Sequence, residues 1–212
     1  MSEPSTEHYV AVRDEPRHRR RFENEFVRVY DVLIPPGDTT LYHHHTEDTF
    51  YVAVNEATVR DQTWGEEEFR TGTAAAGSVL CRPHRSRPLI HQVHNLGATD
   101  MRLIGTELKQ SPTMTAPLPL DVPGHVLTLE RERLRVYELS LSPGESTGQI
   151  EYRFFSLTVL LSTATLLIRS ASGIEHTVIY APGDVIWRPG SMKFSVTNVG
   201  ETGSRAAIGE LR

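Results

Sequence analysis

Apolar and polar positions along the chain change over in short runs and do not recur at helical spacing. Stretches rich in Val, Ile, Leu, Tyr and Phe cover 26–34, 50–54, 157–161, 165–169 and 176–180. Runs of this length and composition predict strands. Pro-Gly, Ser-Gly and Asn-x-Gly signals separate them. Pro-Gly followed by Asp or Glu is turn chemistry, because proline presets the first turn angle and glycine accepts positive φ. No extended segment carries a helical stripe. Many short strands must close into barrels or double-layered sheets to protect their edges, so an all-β fold is expected.

The pattern repeats. RVYDVLIPPGDTT at 28–40 returns as RVYELSLSPGEST at 135–147, which aligns Arg28 with Arg135, Tyr30 with Tyr137 and Gly37 with Gly144. Gly77-Ser-Val-Leu-Cys-Arg-Pro83 is answered by Gly183-Asp-Val-Ile-Trp-Arg-Pro189, Asn95-Leu-Gly97 by Asn198-Val-Gly200, and Glu107-Leu-Lys109 by Glu210-Leu-Arg212. Four matches in the same order, spaced by about half the chain, mark a duplication. The expected division is a first domain over 1–110, a linker at 111–125 with Pro112, Pro117, Pro119 and Pro123, and a second domain over 126–212. Proline at that density favours an extended connection. The first ten or so residues are expected to form an arm.

Composition then narrows the function. The 212 residues are 38% hydrophobic and 23% charged, as in folded water-soluble chains. No apolar run reaches the roughly 20 residues of a membrane helix, and MSEPSTEHYV has no apolar core of a secretion signal. The single cysteine, Cys81, excludes a disulfide framework and a cysteine-rich zinc site. A cytoplasmic location is therefore expected. A net charge of −5 leaves no electrostatic footprint for nucleic acid. The basic cluster Arg17 to Arg21 has Asp14, Glu15, Glu23 and Glu25 around it and reads as a solvated edge strand, where charge blocks unwanted pairing.

Ten histidines remain to be explained, and three of them are consecutive. In a strand, His43 and His45 point one way and His44 the other. Two imidazoles on one face can grip a divalent ion, with a third donor supplied from 83–95, where His84, His91 and His94 lie. His91 shares a face with Val93, and His94 shares the opposite face with Gln92. Three neutral nitrogens suit Fe(II), Zn, Ni, Cu or Mn.

These residues resemble the cupin superfamily, whose first motif is G-x5-H-x-H-x3,4-E-x6-G and whose second is G-x5-P-x-G-x2-H-x3-N. Gly37, His43 and His45 match the first motif. Gly77, Pro83, His91 and Asn95 match the second with a three-residue insertion between Pro83 and His91. Gly183, Pro189 and Asn198 match it without one, with Phe194 in the histidine's place. The resemblance covers nearly all of 22–212. It implies a bicupin, two tandem jelly-roll β-barrels, with His43, His45 and His91 as metal ligands.

Two departures qualify what the resemblance implies. The family's glutamate would fall at Thr49 or Phe50, with Asp48 one residue early and Glu47 two, so the site resembles three-histidine cupins, with Asp48 as the nearest candidate for a fourth ligand. In the second half Ile150, Tyr152 and Phe194 replace the three histidines, which leaves that barrel a scaffold. His125 and His176 lie outside any motif and are read as structural or surface residues.

Three-histidine cupins include dioxygenases, so the first expectation is an Fe(II) dioxygenase acting on a small anionic or enolisable substrate. A lyase, isomerase or cyclase using Zn, Mn or Ni as a Lewis acid is the alternative, and a non-catalytic small-molecule-binding cupin is the third reading. Tyr51 and Asp48 are the candidate catalytic residues. Arg82, Arg85 and Arg87 crowd the approach to His91 and are candidates, with Tyr42, for holding an anionic substrate. A homodimer is expected from the resemblance.

Overall fold

The computed structural model describes residues 9–212. The expected N-terminal arm lies outside these residues up to position 8. The chain forms two compact units, one ending at Lys109 and one beginning at Gln110. The first contains β1 (Val10–Ala11), β2 (His18–Glu23), β3 (Val27–Ile34), β4 (His43–His45), β5 (Thr49–Ala53), β6 (Ala57–Thr63), β7 (Arg70–Ala74), β8 (Val79–Arg82), β9 (Leu89–Asn95) and β10 (Met101–Leu108). The second contains β11 (His125–Arg131), β12 (Leu134–Leu141), β13 (Ile150–Arg153), β14 (Ser156–Leu160), β15 (Ala164–Ser170), β16 (Glu175–Tyr180), β17 (Val185–Arg188), β18 (Ser191–Asn198) and β19 (Ser204–Leu211).

Each unit is a pair of sheets. The first has the orders β1-β4-β9-β6-β7 and β2-β3-β10-β5-β8; the second has β11-β12-β19-β14-β17 and β13-β18-β15-β16. Alternation along β3 explains the layering. Val27, Val29 and Val32 are buried while Arg28, Asp31 and Leu33 are partly exposed. Each fully buried Val or Leu contributes about 1.5–3 kcal/mol. The second core gathers Tyr137, Leu139, Ile150, Phe154, Leu166 and Phe194 with others of like kind.

The duplication is written into the strand registers. His43 faces His91 across β4 and β9, and Ile150 faces Phe194 across β13 and β18. Arg28 faces Glu107 and Arg135 faces Glu210. Arg28 Nη1 donates to Glu107 Oε2 at 2.8 Å, and Arg135 Nη1 to Glu210 Oε1 at 3.2 Å. Asn95 and Asn198 are both fully buried. Asn95 Nδ2 donates to the carbonyls of Ile34 and Thr99 and its Oδ1 accepts the Gly97 amide; Asn198 does the same with Leu141, Thr202 and Gly200. The turns at Gly37 and Gly144 have φ of 72° and 79°, which an L side chain rarely adopts.

The proline-rich stretch connects the two barrels in sequence and also packs on the second. Ala116, Leu120 and Val122 lie against its core, and the Leu120 amide donates to the Tyr137 hydroxyl at 3.0 Å. The arginine cluster falls on β2, an edge strand, and Arg19, Arg20 and Arg21 are exposed as expected. His18 in the same run is not. Among the described residues no helix is long and apolar enough to cross a membrane.

Candidate metal centre

The turn at Gly37 returns the chain to a strand of three residues, too short for anything but presenting side chains. His43 and His45 of β4 are 1% and 2% accessible, and His44 between them faces outward beside Tyr9, with ring centroids 5.6 Å apart. Antiparallel pairing with β9 sets the His91 ring 4.6 Å from that of His43. Two further imidazoles join them. His18, buried on β2, has its ring 4.7 Å from His43. His84, from the turn after β8, stacks on His45 at 4.7 Å. One nitrogen of each of His18, His43 and His45 lies within 4.8 Å of the others, an arrangement able to hold a metal ion.

The outer ring nitrogens are tied down. His43 Nδ1 lies 2.8 Å from the Leu41 carbonyl, which only accepts, so that nitrogen carries the proton and Nε2 keeps its lone pair. His91 Nδ1 is 2.8 Å from Asp61 Oδ2 and His18 Nδ1 is 2.8 Å from Glu15 Oε2, so on these rings too Nδ1 carries a proton and Nε2 is the nitrogen left for other partners. Carboxylate or carbonyl partners on the far nitrogen are what orients histidines that bind metal. Tyr51 Oη sits 3.3 Å from both His45 Nδ1 and His84 Nε2.

Electrostatics agree with that assignment. Burial, helped by the neighbouring His18 and His91, pulls His43 down to about 3. Burial and the charges of His91 and His43 hold His45 well below its ordinary value. Both rings are therefore neutral, the ligating form, at neutral pH. Burial alone would raise Glu15, but the hydrogen bond and charge of His18 and the amides of Leu41 and Arg17 outweigh it and hold the carboxyl low. Burial pushes the Tyr51 hydroxyl up, so it keeps its proton.

The structure thus brings His43, His45, His91 and Tyr51 together. The other expected site residues stand further out. Asp48 Oδ1 accepts the Arg85 amide at 3.0 Å, and the Arg85 guanidinium donates to Glu47 at 2.7 Å and to the Lys109 carbonyl. Arg82 and Arg87 are exposed. Tyr42 donates to Gln62 Oε1 at 3.0 Å and packs on Trp64 at 4.6 Å, on the side of the strand away from His43. At the position of the family's glutamate, Thr49 is buried with its hydroxyl on the Glu47 carbonyl, and Phe50 is in the core. His94 takes the opposite face from His91 and meets Thr39 Oγ1 at 2.7 Å.

Reading the sequence missed His18, and within 83–95 it passed over His84 in favour of His91. His18 stands among arginines on a strand whose pairing shifts between Arg20 and Phe22, so alternation does not reveal its side. Its signal is Glu15 three residues earlier, a partner for Nδ1. His84 lies in a turn, where period-2 reasoning has no hold.

No family model and no curated protein sequence matches the chain. Solved structures do. AerE from Microcystis aeruginosa matches with a TM-score of 0.62 at 11% identity, over 93% of this chain and 98% of its own. A variant of oxalate decarboxylase from Bacillus subtilis gives 0.62 at 12% identity, over 95% of this chain and 76% of its own. Salicylate 1,2-dioxygenase from Pseudoaminobacter salicylatoxidans gives 0.60 at 13% identity, over 88% and 68%. With the strand orders above, these matches define the architecture as a bicupin, the cupin fold twice in one chain.

Proposed function

We propose that the first barrel is a metal-dependent enzyme in which His43, His45 and His91 hold a divalent cation, with His18 facing the same point from β2. The observation that carries this is the anchoring of the rings. Partners on the Nδ1 atoms of His18, His43 and His91 leave each Nε2 as a lone pair within the barrel. A cation on neutral imidazoles keeps its full double charge, which favours an anionic or enolisable substrate. Bound there, the ion would supply Lewis acidity and, as Fe(II), a centre for dioxygen chemistry.

The chain's own residues do the rest. Buried strands around the histidines limit water, and Tyr51 keeps its proton beside His45 and His84, where it can donate a hydrogen bond to either ring. Arg82 and Arg87 offer exposed guanidinium groups to a substrate carboxylate. The reading favoured is an Fe(II) dioxygenase; the fold matches include a protein named as a dioxygenase and one named as a decarboxylase. The Tyr51–His84 contact supports a second reading, Lewis-acid lyase or isomerase chemistry on Zn, Mn or Ni, because it sets a hydroxyl donor and an imidazole beside the histidine cluster, the two group types such proton transfers use.

The test is an oxygen-electrode screen of small carboxylates, diketones and thiols with protein loaded separately with Fe(II), Zn, Mn and Ni. Substrate-dependent oxygen uptake with iron alone supports the dioxygenase. Product formation without oxygen uptake on another metal replaces it with the second reading, and no metal uptake at all removes both.

A further inference from the structure

The second barrel has lost the three motif imidazoles, yet its interior is not simply apolar. Ile150, Tyr152 and Phe194 fill the places of His43, His45 and His91. Beside them stands Arg188, the last residue of β17, lining a cavity of about 20 Å³ with Tyr152, Thr158, Tyr180, Ile168 and Ile186. That is room for one water-sized group.

Among the described residues the charge on Arg188 has no counter-charge. Arg188 is partly buried; elsewhere the buried Arg135 meets Glu210 and the partly buried Arg28 meets Glu107. Among the described residues Arg188 makes no ion pair. Its Nη1 donates to Thr158 Oγ1 at 2.6 Å, and its Cζ lies 4.9 Å from the centre of the Phe194 ring. A guanidinium carries five N–H donors, so most of its capacity is unspent. Burial holds its pKa below the ordinary value, which marks the charge as costly where it stands.

The duplicate explains how it got inside. Arg188 pairs with Ser156 as Arg82 pairs with Thr49, so the two arginines are equivalent, yet Arg82 is exposed. At the equivalent inward position the first barrel has Tyr51, facing Leu80 across the strands, and the second has Thr158, facing Ile186. Threonine is smaller and supplies an acceptor, so the guanidinium has both space and a tether. Tyr152 Oη is engaged by His125 Nε2 at 2.9 Å, while the Tyr180 hydroxyl makes no hydrogen bond to a described residue.

We propose that the interior of the second barrel is an anion site, taking one small monoanion, a halide whole or a carboxylate by one oxygen, on the Arg188 guanidinium with the Tyr180 hydroxyl. The duplication would then have turned a cage of lone pairs for a cation into a fixed cation for an anion. This stands apart from the metal centre and does not depend on it.

The test follows thermal unfolding of the full chain against chloride, bromide, formate and acetate at constant ionic strength, alongside the arginine Nε–H signals in an NMR titration with formate. Expected is a saturable rise in Tm with chloride or formate, and a saturable shift of one protected Nε–H signal. Arg188→Met should weaken the response at least tenfold, the scale of a charge-assisted hydrogen bond, and Tyr180→Phe by less. Chloride and bromide acting without formate would identify a halide site, and formate and acetate acting without halides a carboxylate site; either supports the proposal. If Arg188→Met does not fold, the NMR titration of the unaltered chain decides alone. His43→Ala should leave the response as it is. An equal response in Arg188→Met, or none that saturates in the unaltered chain, overturns it.

Discussion

His45 Nε2 lies 3.1 Å from His91 Nε2. His91 keeps its proton on Nδ1, against Asp61, so the nitrogen facing His45 is an acceptor. Without a cation, His45 satisfies it by donating from Nε2 while its Nδ1 accepts from Tyr51. To ligate, His45 must move that proton to Nδ1 and donate to Tyr51, whose own proton then turns to His84. The Tyr51 hydroxyl, 3.3 Å from both rings, is placed for that exchange.

Asp61→Ala and Tyr51→Phe should each weaken metal binding by about 10–100-fold, the usual cost of losing a partner that orients a ligand. Tyr51→Phe should also lower turnover of the fully loaded enzyme by about a hundredfold, the scale of one general acid–base group. Metal titration by calorimetry checks the first, and steady-state kinetics at saturating metal the second. Unchanged affinity in both variants would mean that the ring partners are architectural.

The histidines divide by face. His91→Ala should cost more than a hundredfold in metal affinity, by analogy with a lost metal ligand. His94→Ala, whose ring bonds Thr39 on the other side of β9, should cost nothing measurable. His18→Ala should fall between them. Competition with a chromogenic chelator gives all three on one scale.

Much of this was legible in the sequence. Alternation in His43-His44-His45 and the motif match placed His43 and His45 on one face and brought His91 to the same pocket, because strand period obeys local rules; that His91 pairs directly with His43 came from the structure. The loss of the three motif histidines from the second barrel was legible in Ile150, Tyr152 and Phe194. His18 was not legible, since its position depends on how the edge strand β2 folds over the barrel, and the shift between Arg20 and Phe22 breaks the alternation. Arg188 was hidden for a similar reason: only the small size of Thr158, on a different strand, turns it inward.

Asn95 and Asn198 each make three hydrogen bonds with no exposure at all, two within their own turn and one to the carbonyl at the end of β3 (Ile34) or β12 (Leu141). Asn95→Ala and Asn198→Ala should each destabilise by about 2–3 kcal/mol, because buried backbone groups lose their partners. Denaturant titration followed by residue-resolved hydrogen exchange should show each loss confined to the unit that carries it.

Glu23 receives hydrogen bonds from Arg28 and Lys109, which hold its carboxyl at about 2. A depressed carboxylate contributes stability that is complete above its unfolded value near 4.5 and disappears as pH falls toward 2. Glu23→Gln should therefore cost about 1 kcal/mol at pH 7, given the partial exposure of the pair. At pH 2–3 the two proteins should be nearly equal in stability. Urea unfolding at both pH values reads the difference.

The most direct measurement is the metal content of the protein purified without added metal and then offered Fe(II), Zn, Mn and Ni in turn. The unaltered chain should hold about one ion, in keeping with a single cluster of neutral imidazoles. The His43→Ala/His45→Ala variant should hold none while its far-ultraviolet circular dichroism is unchanged. An ion retained by the double variant, or none held by the unaltered chain under any of the four metals, would contradict the account.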